Sequence, residues 1–509
     1  MIASRLDHAA LAHLQGRASL PAYDRTHARA GVVHLGIGAF HRAHQAVYFD
    51  DLLARGRDGY AVVAASLRSD EVARRLLPQH CLYGVLSLAE GECNYRVIGA
   101  VREVCVAPEA PKALLSHLCA PQTALVTLTV TEKGYCHRPA DGTLDFDHPD
   151  IRHDIAHPEA PRSAVGLLAT ALCRRLAVGV APPAVLCCDN LPHNGRLLAR
   201  LVTALVAARG QHALARRIAA EVRFPCSMVD RIVPATAATH RALVQEHYGI
   251  DDHGLVVTEP FSQWVIEDAA EVLHPLGEVG AVLVRDVAPF ETMKLRLLNG
   301  SHSALAYLGY LAGCEYVADA MAVPGMEALV TRLMDEETTP TLQVPGDFDL
   351  AGYKQQLRER FRNPALLHRT WQIAMDGSQK LPQRLLGTTR ERLAAGAPVN
   401  ALALAVAAWM RYVGGIDERG EAIDVRDPMA GRLAARVAAQ GGNAKATVDA
   451  LLAVEEVFAP ELAQDPRWRK ALVTQYTRLQ QRGAREAVLM TIQDEIASEV
   501  PKALKAFTD

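Results

Sequence analysis

A disulfide framework, a membrane-length apolar run and an excess of one charge are all missing from this sequence. Ten cysteines are spread over 509 residues with no C-x-x-C pair, far too few for a disulfide scaffold. The adjacent Cys187 and Cys188 sit in an apolar run and read as packing rather than redox chemistry. A reducing cytoplasm is the expected setting. The longest apolar stretch, Ala401 to Met410, is about half of what a bilayer span requires. The opening MIASRLDHAALAHLQ mixes Arg, Asp and His with short apolar steps and does not read as a signal peptide. The formal net charge is −3, from 54 basic and 57 acidic side chains. That leaves no global electrostatic case for nucleic acid or an anionic membrane.

What is present is ordinary globular composition, 50% hydrophobic and 22% charged, which suits sizeable buried cores and excludes a largely disordered chain. At about 100–200 residues per domain the length implies two to four domains. No repeat period or low-complexity tract shows beyond Ala-rich helical segments. The first strong strand signal is GVVHLGIGAF, residues 31–40, followed by a helix pattern over 41–54. Further strands are expected at 61–67, 95–101, 123–130 and 184–188, with helical patterns between several of them. Strands alternating with helices predict a mostly parallel sheet covered on both faces. Beyond about residue 285 the texture turns helical, so the expected division is an α/β dinucleotide-binding domain over 1–285 and a mainly helical domain over 286–509.

Two segments carry candidate chemistry. In His34-Leu35-Gly36-Ile37-Gly38-Ala39-Phe40-His41 a strand breaks into a helix at two glycines. Gly36 permits a tight turn, and Gly38 lets the backbone approach a pyrophosphate held by free N–H groups at the helix start. His41 stands where the generic fingerprint has a third glycine. After the second strand, Asp70 or Glu71 suits a ribose 2′-hydroxyl, whereas Arg68 suits a 2′-phosphate. The count of acids favours NAD.

The second segment runs from Glu291 to His302. At about 100° per residue, Lys294, His302 and Asn299 fall at about 0°, 80° and 140°, on one face of a helix. A desolvated lysine can act as a general base, an asparagine can donate to a developing oxyanion, and a histidine can hold a neighbouring hydroxyl. An Asn-Gly pair inside an apolar helix is also locally unfavourable, the kind of conflict found at functional sites. No Cys, His and Glu set has credible zinc spacing. His41-x-x-His44 lies in the glycine turn and no H-E-x-x-H occurs, so no metal is expected.

The stretches HLGIGAFHRAHQ, LTVTEKGYC, CCDNLPHNG, FPCSMVDRIVPA, EPFSQWVIED, KLRLLNGSHSALAYLGYL and MDGSQKLPQR make the chain resemble the mannitol dehydrogenase family over nearly its whole length. That resemblance implies a zinc-independent NAD(P) enzyme with a Rossmann-type domain and a helical C-terminal domain. Its substrate would be a linear polyol or sugar acid, interconverted between secondary alcohol and ketone. It implies Lys294 as general acid and base, with Asn299, His302 and Asn190 around the reacting oxygen. Glu132 would relay the proton. Lys380 would serve the substrate, and the segment of Asp230 would line the site beside the nicotinamide. Gln372 stands where mannitol 2-dehydrogenases can carry arginine, and the segment 368–375 resembles instead the fructuronate reductase branch, which handles D-mannonate. Arg369, Lys380 and Arg384 are then the local candidates for a substrate carboxylate. A mannitol-type polyol dehydrogenase shares every catalytic residue and is the alternative. A sensor that binds NAD(H) without turnover has no need of a proton acceptor beside an oxyanion site. A monomer or small homo-oligomer is expected.

Overall fold

The computed structural model describes residues 4–138, 141–346 and 348–506, with side chains through 494. It divides into two compact units, Met1–Ala288 and Pro289–Asp509. The division falls in the first turn of the helix Ala288–Lys294 rather than in a linker.

After a short strand (Ser4–Arg5) and a helical turn (Leu11–Leu14), the first unit builds its sheet from β1 (Ala30–Leu35), α1 (Ala39–Ala43), α2 (Gln45–Ala54), β2 (Ala61–Ser66) and α3 (Glu71–Leu76). It continues through β3 (Tyr83–Ala89), β4 (Glu92–Ile98), β5 (Val101–Val106), β6 (Leu125–Leu128), α4 (Ala164–Ala177) and β7 (Ala184–Cys187). α5 (Asn194–Ala208), β8 (Ser227–Asp230) and β9 (Gln263–Glu267) follow. Strands β5, β2, β1, β6 and β7 lie side by side in that order and all run parallel. β1, β2, β6 and β7 are largely apolar because both faces are covered, whereas the edge strand β5 carries Arg102 and Glu103. Val32, Val62, Leu125 and Leu186 belong to one apolar layer, and Val33, Val63, Val126 and Val185 to the other. β1 has β2 on one side and β6 on the other, so the strand order reverses there. Open α/β sheets place ligands at the carboxyl ends of strands beside such a switch.

Two expectations need correction. The run 95–101 is not one strand: β4 ends at Ile98, antiparallel to β3, and β5 begins at Val101 in the main sheet. Residues 97–101 are buried without a break, so the apolar run looks continuous, and only Gly99-Ala100 marks the turn. A Cβ at Gly99 would lie 2.8 Å from Arg25 Cδ, and the Arg25 guanidinium donates to the carbonyls of Gly99, His80 and Val101. The helix expected over 41–54 starts earlier, at Ala39, and breaks at His44 (φ −126°, ψ −87°). There the imidazole Nε2 lies 3.0 Å from the Gln263 carbonyl at the start of β9. The smaller β-pairings, β3 with β4 and β9 with β8, carried no sequence expectation.

In the second unit α6 (Ala288–Lys294) passes through a π-helical turn, Leu295–Asn299, into α7 (Gly300–Leu311). α8 (Leu350–Arg362), α9 (Gly377–Leu381), α10 (Asn400–Tyr412) and α11 (Pro466–Ala506, broken at Gly483) complete its frame. α10 is apolar on nearly every side and packs against both α7 and α11, as a core helix must. Two more π-helical turns, Leu333–Thr338 and Pro382–Leu386, pack against the first.

The end of β1 is where backbone geometry is tightest. Gly36 has φ +101°, and a Cβ there would lie 2.1 Å from the Thr129 carbonyl oxygen. Gly36→Ala is therefore expected to lose about 1–3 kcal/mol from backbone strain alone, with the clash adding to it. Urea unfolding checks this, and a variant within error of the parent would show that the two loops are not held this closely.

Candidate active site

In the first unit a cavity of about 820 Å³ opens at the carboxyl ends of β1, β2 and β6, lined by Gly36, Ile37, Gly38, Arg68, Thr131 and Asp150 among others. The Gly36 carbonyl is turned into the sheet. Thr129 Oγ1 donates to it at 2.8 Å, and His34 Nε2 lies 3.0 Å away. Burial pushes His34 down to about 3, so its ring is neutral and carries one proton. Because a carbonyl only accepts, that proton is on Nε2, and Nδ1 accepts from Thr127 Oγ1 at 2.7 Å. His41 then lies flat on His34, with ring centroids 3.4 Å apart and planes 11° apart. The third glycine of the generic fingerprint allows close helix–strand packing; here a flat ring stacked on a second flat ring does that instead. Burial and the neighbouring His34 and Arg42 hold His41 well below the usual histidine range.

A Cβ at Gly38 would meet nothing nearer than Gly36 O at 3.9 Å. The space a side chain would fill is thus open for a ligand, which fits the backbone approach a dinucleotide needs. Ala39 and Phe40 form the first turn of α1, with Phe40 stacked on His44. α1 has five residues, so individual N–H groups rather than a long helix dipole face a ligand. Asp70 and Glu71 do not line the cavity. Asp70 accepts from Arg74 at 2.5 Å, and Glu71 from Arg75.

Glu132 and Asn190 are exposed on two loops that one residue ties together. The Asp189 carboxylate accepts from Val130 N at 2.9 Å, Thr131 N at 3.1 Å and Tyr135 Oη at 2.6 Å. Burial raises its pKa against the pull of these donors. Thr131, a β-branched residue, is held at φ +64°, the kind of strained position that clusters at functional sites. Asn194 bridges the Asp189 carbonyl to both backbone groups of Ser227 at the start of β8. Asp230, at the other end of β8, is buried. Sequence reasoning missed Asp189 as the organiser, although the acid directly preceding Asn190 was a signal.

In the second unit Lys294 and His302 are buried. The regular-helix angles given above need correction, because Gly300 N–H donates to Leu295 O five residues back. Five-residue closure widens the turn and brings Asn299 closer to overlying Lys294 than an α-helix would. The Asn-Gly conflict has a packing reason as well. A Cβ at Gly300 would lie 3.0 Å from the Arg384 carbonyl in the third π turn. Arg384 Nη1 donates to Ser303 Oγ at 3.2 Å and reaches Asn299 O at 3.5 Å. Its guanidinium has no carboxylate partner among the described residues, and burial pushes it down to about 10.

His302 packs against Phe361 and His368, and its Nε2 has no hydrogen-bond partner among the described residues. Burial, then His368, Arg360, Arg384 and Lys294, hold it well below the usual histidine range. Lys380 donates to Met375 O at 2.6 Å from α9. Arg369, by contrast, pairs with Glu315 at 3.2 Å, both more than half exposed. The structure thus gathers Lys294, Asn299, His302 and Arg384, and engages Arg369 elsewhere. Beside the cavity of the first unit, Cys136, His148 and Asp150 bring donor atoms within 4.8 Å of one another, as do Glu103, Cys105 and His117 separately. Burial pushes both thiols up to about 12.

A doubly covered parallel sheet with a glycine turn at its switch point has the architecture of a Rossmann-type domain, and the helical unit carries a buried lysine. The Mannitol dehydrogenase Rossmann domain matches residues 30–275, and the Mannitol dehydrogenase C-terminal domain matches 286–480. The chain belongs to the mannitol dehydrogenase family. It is 44% identical to the D-mannonate oxidoreductase of Escherichia coli (strain K12), over 92% of this chain and 97% of that protein. It is 37% identical to a mannitol 2-dehydrogenase of Aspergillus fumigatus, over 93% and 94% of the two chains. Pseudomonas fluorescens mannitol 2-dehydrogenase, solved as a ternary complex with NAD and D-mannitol, superposes with a TM-score of 0.85 at 36% identity, covering 96% of this chain and 99% of that one.

The neutral histidine pair makes stability depend on pH. Folding lowers the pKa of His34 and His41, so below about pH 6.5 the unfolded chain binds protons that the folded unit refuses. The stability these rings contribute is whole above that pH and is lost as pH falls through it, at about 1.4 kcal/mol per pH unit for each ring. Denaturant midpoints taken about one unit above and below pH 6.5 should show the drop, and His41→Asn should make it shallower. An identical pH slope in that variant would contradict the assignment.

Proposed function

We propose that this chain is an NAD-dependent oxidoreductase that interconverts D-fructuronate and D-mannonate by direct hydride transfer. The observation that carries the substrate class is Arg384, a guanidinium packed into the lysine cluster without an acid to balance it. A half-buried cation without a counter-ion is costly, and a substrate carboxylate removes that cost. An uncharged ketose would leave it unpaired. The 44% identity to a protein named D-mannonate oxidoreductase supports the same reading. The second reading, D-mannitol and D-fructose, is favoured by the likeness to the Pseudomonas enzyme solved with D-mannitol.

The backbone of Gly36, Ile37 and Gly38 would hold the dinucleotide, which when bound supplies or accepts the hydride at its nicotinamide. The remaining work belongs to side chains. Lys294, desolvated, takes the hydroxyl proton in oxidation and returns it in reduction. Asn299 and Asn190 donate to the oxygen as it gains charge. His302, with Nε2 unengaged by the described protein, holds a neighbouring hydroxyl. Glu132, exposed on its loop, passes the proton to water. Asp230 lines the nicotinamide side, and Lys380 with Arg384 serves the far end of the substrate. All ten cysteines are free thiols, which supports a reducing compartment. Among the described residues no helix is long and apolar enough to cross a membrane.

Initial rates of NADH oxidation test the reading. D-Fructuronate should give a higher kcat/KM than D-fructose; equal or better rates with D-fructose would promote the mannitol reading. Arg384→Met should lower kcat/KM for D-fructuronate by about 10–100-fold and leave D-fructose within about threefold, because a charged hydrogen bond is worth about 1.5–3 kcal/mol. Equal losses on both substrates would remove Arg384 from carboxylate recognition. Lys294→Ala should lower turnover by about 10²–10⁴ with NADH binding nearly unchanged, and near-native turnover would end the mechanism.

A further inference from the structure

At the edge of the main sheet three side chains converge on one carboxylate oxygen. Glu103 and Cys105 stand two apart on the edge strand β5 and so share a face. The helix Pro111–Cys119 covers that face, with Leu114, Leu115 and Leu118 in one core with Cys105. His117 comes from the same helix. Its Nε2 lies 3.1 Å from Glu103 Oε1, and Cys105 Sγ donates to that oxygen at 3.6 Å. The three residues bring donor atoms within 4.8 Å of one another. Cys105 is buried, His117 half-buried and Glu103 exposed, so solvent reaches the group from the carboxylate side. Among the described residues no lysine or arginine pairs with Glu103.

Those spacings suit a metal. Tetrahedral zinc, with Zn–S of about 2.3 Å and Zn–N and Zn–O of about 2.0–2.1 Å, sets S···O at about 3.5 Å and N···O at about 3.3 Å. The 3.6 and 3.1 Å found here already match those edges. Burial, then Glu103, pushes the Cys105 thiol up to about 12. A coordinated cation reverses that preference by deprotonating the thiol. The second cluster, Cys136, His148 and Asp150, is less suited. There His148 Nδ1 already accepts from Asp150 N at 3.2 Å, capping the helix Pro149–Ala156.

We propose that Glu103, Cys105 and His117 bind one zinc ion, which pins the edge strand β5 to the helix Pro111–Cys119. On binding, the Cys105 thiol releases one proton to water, and the imidazole carries its proton on Nδ1 rather than Nε2. One thiolate and one carboxylate then balance the dication, with water in the fourth position. Thiolate and imidazole ligands select zinc over magnesium or calcium. Ala107, Pro108 and Pro111, which join the strand to the helix, line the cavity of the first unit. The ion thus steadies one wall of that cavity, and its role is structural. The spacing of the three ligands in the sequence matches no zinc motif.

Calorimetric titration of the full chain, stripped with a chelator, tests it with zinc chloride, and magnesium chloride is the control. One zinc ion should bind with a Kd of about 10 µM or tighter, and magnesium should not bind. His117→Ala and Glu103→Gln should each weaken zinc by about tenfold or more, and Cys105→Ser by about 100-fold, while Cys136→Ser stays within about twofold. In a parallel titration with cobalt(II), a thiolate-to-metal absorption band should appear in the parent and vanish in Cys105→Ser. Zinc should raise the urea midpoint of the parent and leave that of His117→Ala unchanged. The half-buried His117 keeps the site testable if Cys105→Ser does not fold. Zinc binding weaker than about 10 µM in the parent would overturn the proposal, as would unchanged affinity in His117→Ala. Loss of binding in Cys136→Ser would move the ion to the other cluster and overturn it too.

Discussion

Much of the first unit's functional geometry depends on where one carbonyl oxygen points. Gly36 O accepts from Thr129 Oγ1, from the His34 ring and from Gly38 N–H at 2.7 Å. A carbonyl fixed inward by several donors leaves open space beside Gly38 on the other side of the turn. Keeping it there demands a positive φ with no side chain, a threonine one residue past β6, and a histidine that never takes a second proton. Burial supplies the last condition, and stacking His41 on His34 supplies the burial. The replacement of a fingerprint glycine by histidine is therefore part of one arrangement with the turn.

The second unit is organised around charge. The groups acting on His302 are all cationic or potentially so, and Arg384 finds only a hydroxyl and a carbonyl. The charge of Arg384, with no carboxylate beside it among the described residues, raises the energy of the free protein, and binding an anion releases it. Burial keeps His302 and His368 neutral, with the neighbouring cations adding to it at His302. A neutral imidazole beside a lysine can exchange hydrogen bonds with a sugar hydroxyl in either sense, which suits a reaction run in both directions.

The alternation of apolar strands and helices, the two glycines and the lysine segment were legible in the sequence because each is a local pattern. Other features were not. The hairpin of β3 and β4 was hidden because its second strand runs into β5 with only Gly99-Ala100 between them. Asp189 looks like any acid in a loop, and its importance lies in three donors contributed by residues about sixty positions away in the chain. The π-helical turn leaves no trace in propensity or periodicity. The pairing of Asp70 and Glu71 with arginines was within reach, since both pairs stand at the i, i+4 spacing where opposite charges meet on a helix.

The turn at Leu295–Asn299 has a consequence for how this segment tolerates change in length. A π turn is in effect an α-helix holding one surplus residue, retained because what it positions outweighs its poorer hydrogen bonding. Excising any one residue from it would restore a regular helix and so cost little locally. α7 is anchored by its packing against α10 and α11, so the upstream end would turn instead, by about 100°. Lys294 would swing away from Asn299 and His302 while the helix itself grew more regular. This stretch should therefore accept many changes of residue and none of length.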